Sequence, residues 1–209
     1  METHTLDWSS AYREGLTPWD LWGATPALEQ LLARGVLAAL GVPDGARIAV
    51  PGCGRGHDVR FLSNCGYRPV GFDLAPEAVR EARQLITLNR SGGEVLVRDV
   101  LGLLPEFEQS FDLVYEYTCF CALPPHLRSA YARTLAGTLV PGGRLLALAF
   151  PMHERFVRDA GPPHLVRESD LKQAFGAALQ FEDSFEPAVP GSLRGAAERW
   201  FTWRKPGRG

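Results

Sequence analysis

Between residues 47 and 150, short β-rich apolar runs alternate with amphipathic stretches, and this alternation constrains the fold more than any other feature of the chain. RIAVPG (47–52) is followed by HDVRFLSNCG, YRPVGFD (67–73) by APEAVREARQLI, and GEVLVRD (93–99) by FDLVYEYT (111–118). Strands that recur with helices between them predict a parallel sheet covered on both faces. A helix over PPHLRSAYARTLAGTL starts at Pro124 and Pro125, the turn Pro141-Gly142-Gly143 follows, and RLLALAF (144–150) is the fifth strand. The last quarter reads as a Gly161-Pro162-Pro163 loop, a short helix opening at Ser169 or Asp170, and two strands in QFEDSFEPA and ERWFTWRK. Ahead of the first strand, Leu28, Leu31, Leu32, Val36 and Leu40 are spaced as one helix over TPALEQLLARGVLAAL that packs on the sheet. The expected fold is α/β: a single doubly wound, Rossmann-like domain over residues 1–209.

With 209 residues, 45% of them hydrophobic, the chain can bury one sizeable core, and no repeat or linker suggests a boundary. Lys and Arg number 22 against 24 Asp and Glu, a formal charge of −2, so no basic excess is available to neutralise a phosphate backbone. Nucleic acid is not an expected partner. METHTLDWSSAYREG has neither a basic n-region nor an apolar h-region, and no run is long enough to span a membrane, which points to the cytoplasm. Cys53, Cys65, Cys119 and Cys121 fall in segments that read as loop or buried strand, without the spacing of a disulfide framework, so reduced thiols are expected. Cys119-x-Cys121 has no second Cys or His pair at ligand spacing, and no metal is expected.

A ligand site is readable at three successive strand ends. Val50-Pro51-Gly52-Cys53-Gly54-Arg55-Gly56-His57-Asp58 leaves a strand and opens a helix; glycines at alternate positions allow a tight turn and a close backbone approach. A dinucleotide fingerprint would need glycine where His57 stands, and neither a Tyr-x-x-x-Lys nor a His–carboxylate hydride relay is present, so a nicotinamide cofactor fits less well. Asp73 ends the second strand, 21 residues after Gly52, where a carboxylate accepts from both hydroxyls of a ribose. Its competing role is to cap the helix opening at Ala75-Pro76-Glu77, one carboxylate serving one of the two. Asp99-Val100 closes the third strand, an acceptor and a backbone donor suited to adenine. Residues 6–23 are polar and turn-rich yet carry Trp8, Tyr12, Trp19 and Trp22, more aromatic surface than a solvated tail needs.

Together these motifs resemble the class I S-adenosylmethionine (SAM)-dependent methyltransferases, and more narrowly the thiopurine S-methyltransferase superfamily in its plant-type halide and thiol methyltransferase branch. The resemblance rests on GLTPWDLWGATP, VPGCGRGHD, GFDLAPEAV, the RDV at 98–100, FDLVYEYTCFCALPP, VPGGRLLALAFP and AGPPHLV, and spans nearly the whole chain. It implies a seven-stranded, mostly parallel sheet with an antiparallel last strand. It also implies that Trp8, Trp19, Gly52, Asp73, Asp99, Val100 and Tyr117 hold SAM, with Gly54 of the same loop, and that the product is S-adenosylhomocysteine. Tyr12 stands where the family has a second tryptophan, which keeps an aromatic face. Phe150 stands where tyrosine is frequent, which removes a hydroxyl from the acceptor pocket. A monomer or weak homodimer is implied.

Transfer of an activated methyl to a thiol, hydrosulfide, halide or thiopurine-like acceptor is an in-line displacement that needs positioning and desolvation rather than a covalent enzyme intermediate. Residues 1–24 are the candidate lid, with Trp8, Tyr12, Trp19 and Trp22 over the cofactor. Tyr117 is the candidate catalytic residue. His57, His126, His153 and His164 are scattered, and Cys119 and Cys121 read as pocket or core wall. Small-molecule O- or N-methylation, with a base near Tyr117 or Glu116, and a SAM-binding module without turnover remain the alternatives.

Overall fold

The computed structural model describes residues 7–157, 161–188 and 197–207, with no side-chain description for residue 156. The N-terminal segment holds α1 (Trp8–Arg13), α2 (Pro26–Ala33) and α3 (Val36–Ala39). Then β1 (Arg47–Pro51), α4 (His57–Asn64), β2 (Arg68–Asp73), α5 (Pro76–Leu88), β3 (Glu94–Val97) and β4 (Phe111–Tyr117) alternate. The chain continues with α6 (Cys119–Ala122), α7 (Arg128–Thr138), β5 (Leu139–Ala149), α8 (Glu168–Phe175), β6 (Gln180–Phe185) and β7 (Arg199–Arg204). The seven strands lie in the order β3-β2-β1-β4-β5-β7-β6. Neighbours from β3 to β5 pair in parallel, while β7 inserts antiparallel between β5 and β6.

The central strands β1, β2, β4, β5 and β7 bury both faces because their side chains alternate between two apolar clusters, whereas the edge strands β3 and β6 are largely exposed. Ile48 and Val50 of β1 join Leu28 of α2, Val59 and Leu62 of α4, and Val79 and Ala82 of α5 on one side. Ala49, Phe72 and Val114 join Tyr131 and Leu135 of α7 and Phe175 of α8 on the other. The sheet is therefore doubly wound, as the alternation predicts. The antiparallel β7 is held from both faces: Trp200 packs in the first cluster, Phe201 and Trp203 in the second, all at most 1% exposed. Truncating any one of these aromatics to alanine should cost on the order of 3–5 kcal/mol.

Several local readings need correction. The single helix expected over residues 25–40 is broken at Gly35, whose φ of 69° is left-handed, a conformation glycine adopts without a Cβ penalty. The break turns Leu37 and Val42 into the cluster that already holds Leu28 and Leu31. Residues 8–13, read as turn-rich, form α1, because Asp7 caps it by accepting from Ser10 N at 3.0 Å. Pro141-Gly142-Gly143 is not a free turn but lies within β5, where Gly142 N donates to Lys205 O at 3.0 Å. The helix expected at Ser169 or Asp170 starts at Glu168, with Asp170 accepting from Arg167 N at 2.9 Å. Cys119 and Cys121 sit on the helical turn α6 and Cys65 ends α4, none of them on a strand.

Candidate cofactor and acceptor site

The strand order reverses direction between β1 and β4, the position where an open α/β sheet leaves a crevice at the carboxyl ends of its strands. A cavity of about 470 Å³ opens there, within the range of small-ligand sites. Trp8, Tyr12, Trp19, Gly52, Gly54, Asp73, Asp99, Val100 and Tyr117 all line it, although they come from α1, the loop after it and the ends of four strands.

The loop after β1 has the backbone its glycines suggest. Gly52, Gly54 and Gly56 have φ of 61°, 52° and 69°. A Cβ on Gly52 would lie 2.9 Å from the Cys119 Cβ, and one on Gly54 would lie 2.8 Å from the Tyr12 hydroxyl, so side chains there would collide with the cavity walls. Asp73 fastens this loop. Its Oδ2 accepts from Gly54 N at 2.8 Å and its Oδ1 from Ala75 N at 2.9 Å. The choice between cap and ligand contact is thus too narrow, since one carboxylate offers about four lone-pair sites. Burial pushes the Asp73 carboxyl up, against the backbone donors that favour its charge. Asp99 lies in the turn beyond β3 rather than on the strand, with its Oδ1 accepting from Leu101 N at 2.9 Å.

The N-terminal segment forms one wall. Trp19 meets Trp8 edge-on at 5.2 Å and Tyr12 at 5.9 Å, and Trp19 Nε1 donates to the Tyr12 hydroxyl at 3.2 Å. Burial, followed by the nearby Asp73 charge, raises the Tyr12 phenol so that it stays protonated. Trp22 does not cover the cavity as expected: it is 71% exposed and lies over the Arg55 guanidinium at 4.8 Å.

Arg55 makes a set of contacts at the cavity that the sequence does not reveal. From the middle of the glycine loop its Nη1 donates to Thr17 Oγ1 at 2.9 Å and Asp20 Oδ2 at 2.6 Å, and its Nε to Glu81 at 2.6 Å. The same guanidinium lies 5.1 Å from the Tyr12 ring centre. His57 Nε2 stands 3.3 Å from Asp20. Burial opposes the Asp20 charge, but donors from His57, Arg55 and Trp22 N outweigh it and hold the carboxyl at about 2. The glycine loop and the segment covering it are therefore clamped by charge-assisted bonds. A signal was present in sequence, since Arg55 interrupts the glycines, but its partners lie 35 and 26 residues away.

The other end of the cavity is built from α6 and two later loops. Thr118, with φ of 64°, turns the chain out of β4 into Cys119, Cys121, Ala122 and Leu123; Phe150, Pro162 and Pro163 face them. His164 N donates to Cys121 O at 2.8 Å, tying the two loops together, and the buried Arg128 donates to Leu165 O at 3.1 Å. Cys53, Cys119 and Cys121 line the cavity and form no disulfide, and burial raises the Cys53 and Cys119 thiols, which keeps them protonated. Tyr117 stands at the junction of the two ends, and its hydroxyl donates to Glu198 Oε1 at 2.6 Å. Among the described residues no cluster of His, Cys, Asp or Glu is arranged to hold a metal.

Glu116 points to the opposite side of β4 from Tyr117, accepts from Phe120 N at 2.7 Å and so anchors α6. Burial pushes its carboxyl up from 4.5 to about 7, against the hydrogen bonds it accepts. The folded protein then holds a proton that the unfolded chain has lost, so stability falls as pH rises through that window and the penalty is complete above it. Glu116→Gln should remove that penalty, raising stability near pH 8 by about 3 kcal/mol relative to the native chain and by nothing below pH 4.5. Urea unfolding at the two pH values measures this.

The residues present fit SAM. Among the lining side chains, the carboxylates of Asp20, Asp58, Asp73 and Asp99 outnumber the single guanidinium of Arg55, which suits a cationic ligand. A family model for thiopurine S-methyltransferase matches residues 3–205. A probable thiol methyltransferase 2 of Arabidopsis thaliana is 36% identical over 174 residues, covering 82% of this chain and 72% of that protein. Thiocyanate methyltransferase 1 of the same plant is 32% identical over 204 residues, covering 95% and 84%. Among solved structures, a protein described for conversion of a disulfide bond into a thioacetal group during echinomycin biosynthesis superposes with a TM-score of 0.77 at 22% identity, over 98% of this chain and 93% of that one. The chain belongs to the thiopurine S-methyltransferase family and is a SAM-dependent methyltransferase of class I fold.

Proposed function

We propose that the enzyme methylates a small, soft nucleophile: a thiol, hydrosulfide, thiocyanate, halide or thiopurine-like acceptor. The observation that carries this reading is the split of the cavity. Its cofactor end is rich in carboxylates, whereas Tyr117, Thr118, Cys119, Cys121, Leu123, Phe150 and Pro163 present neutral, mostly apolar surface at the other end. A soft anion or thiol loses little on leaving water for such a surface, and a hard oxygen nucleophile loses more. The thiol and thiocyanate relatives named above support the same acceptor class.

When bound, SAM supplies a methyl group already activated on a sulfonium. The chain's contribution is to hold and to exclude. Asp73 and Asp99 would accept from the nucleoside, the Gly52–Gly54 backbone would let it approach, and Val100 would offer a main-chain donor. Trp8, Tyr12 and Trp19, which line the cavity, would cover it and offer aromatic faces to its positive charge. Tyr117 orients the acceptor. Alignment of two reactants in a dry site contributes on the order of 7–11 kcal/mol. Residues 1–209 act as one domain with 1–24 as its lid, of which 1–6 lie outside the described residues. The lid works in a monomer or weak homodimer in the cytoplasm, with no nucleic-acid partner; among the described residues no helix is long and apolar enough to cross a membrane.

Release of S-adenosylhomocysteine is the test, across iodide, bromide, thiocyanate, hydrosulfide, thiophenol, a thiopurine and a catechol. Turnover with the soft acceptors is expected. Turnover with catechol alone would replace the reading by O-methylation, and SAM binding without any turnover would replace it by a non-catalytic module.

A further inference from the structure

We infer that Arg55 is a positioning residue that latches the aromatic arm over the cofactor end and couples that closure to the glycine loop. This rests on the reading of residues 1–24 as a lid and adds to it the group that holds the lid shut. Arg55 is carried by the glycine loop itself, between Gly54 and Gly56 with their left-handed φ of 52° and 69°, and is 8% exposed. Its Nη1 reaches into the arm, donating to Thr17 Oγ1 at 2.9 Å and Asp20 Oδ2 at 2.6 Å, while its Nε is anchored on Glu81 of α5 at 2.6 Å. The planar fork thus bridges arm, loop and helix, which a point charge would not do as well. The Tyr12 and Trp22 rings of the arm lie 5.1 and 4.8 Å from the guanidinium.

The arm is also tied on either side of this latch. Arg13 Nη1 donates to Glu77 Oε1 at 2.9 Å on exposed surface, and Thr25 donates to Asp58 from its N at 2.7 Å and its Oγ1 at 2.8 Å. Between these ties, Thr17 and Asp20 flank Trp19, so the bonds that fix them also fix the ring that meets both Trp8 and Tyr12. On the other side of Arg55, Gly54 N donates to Asp73 at 2.8 Å and the Gly54 backbone lies against the Tyr12 hydroxyl. One residue therefore joins the arm to the loop that would receive the nucleoside.

Burial decides which way the arm moves when the latch is cut. The Asp20 side chain is 5% exposed. Without Arg55 it keeps Trp22 N as a donor and His57 at 3.3 Å but loses its compensating charge, and a buried carboxylate in that state is costly. Lifting the arm returns it to water. Glu81, with a side chain 30% exposed, is hydrated where it stands and exerts no such pull. The wall rings are offered to the cofactor only with the arm shut, so the apparent dissociation constant is the intrinsic one divided by the closed fraction. By the same linkage, a bound cofactor draws a loosened arm shut again.

Acrylamide quenching of tryptophan fluorescence reads the arm directly. The tryptophans are Trp8, Trp19, Trp22, Trp200 and Trp203, and the last two are core residues at most 1% exposed, so any gain in quenching comes from the arm. In ligand-free Arg55→Met, quenching should rise above native, and saturating S-adenosylhomocysteine should return it to the native liganded value. Coupling between two sites is typically about 5–150-fold, so calorimetric affinity for S-adenosylhomocysteine should fall about tenfold or more. Arg55→Lys, which keeps a charge but not the fork, should recover part of that loss. Asp20→Asn, a variant of unchanged shape, should also raise quenching and weaken binding, and combined with Arg55→Met it should cost little more, because both cut the same bond. Far-UV circular dichroism checks that each variant is folded. Native quenching in ligand-free Arg55→Met or Asp20→Asn would overturn the latch, as would raised quenching that S-adenosylhomocysteine does not reverse, which would make Arg55 a prop of the loop alone. Raised quenching with affinity within about threefold of native would instead overturn the lid reading.

Discussion

Asp73→Ala should weaken SAM binding by a hundredfold or more in calorimetry, with kcat/KM falling at least as far. Hydrogen bonds to a charged group are worth about 1.5–3 kcal/mol each, and two ribose hydroxyls are expected on this carboxylate. The substitution also orphans Gly54 N and Ala75 N, which both donate to Asp73, so the glycine loop loses its fastening together with its ligand contact. Asp73→Asn separates the two effects, because one amide oxygen can still accept while the charge is gone. Affinity within about threefold of native in both variants would remove Asp73 from the site.

Removing residues 1–22 should abolish methyl transfer while the sheet stays folded. The segment supplies Trp8, Tyr12 and Trp19 to the cavity wall and Thr17 and Asp20 to the Arg55 clamp, yet Tyr12 packs mainly on Ala75 and Ala78 at the start of α5 rather than in the central clusters. An open site readmits water, weakens every electrostatic contact within it and leaves the sulfonium without its aromatic cover. A loss of at least a thousandfold in kcat/KM, with far-UV circular dichroism preserved, is the expected outcome. Unchanged turnover would mean that the aromatic segment only packs on its own domain.

The cofactor end was more legible in the sequence than the rest. Gly52, Asp73, Asp99 and Tyr117 each follow or end a strand, and strand ends in a doubly wound sheet converge on one edge whatever the loops do. That is why Gly52, Gly54, Asp73, Asp99, Val100 and Tyr117 line a single cavity, which Trp8, Tyr12 and Trp19 of the N-terminal segment join from one side. The Arg55 clamp and the Tyr117–Glu198 contact were not legible, since their partners are up to 81 residues distant and come from elements whose neighbours are decided by packing. Sheet order brings β7 between β5 and β6, and only that places Glu198 against Tyr117. The helix expected at 25–40 failed for a different reason: its apolar spacing is consistent with one helix, but a left-handed Gly35 serves the core better. Trp22 shares the composition of its aromatic neighbours and differs only in facing outward.

The two ends of the cavity draw on separate parts of the chain. The carboxylate-rich end is lined from the ends of β1, β2 and β3 and from the arm, while the neutral end is lined by Thr118, Cys119, Cys121, Ala122, Leu123, Phe150, Pro162 and Pro163, with His164 N donating to Cys121 O. On the proposed division of the cavity, changes in those few wall residues should alter which molecule is methylated without disturbing the groups that hold the donor. A fold partitioned in this way is evolvable: its substrate range drifts through loop substitutions, and laboratory selection for new acceptors has a small, contiguous set of positions on which to begin.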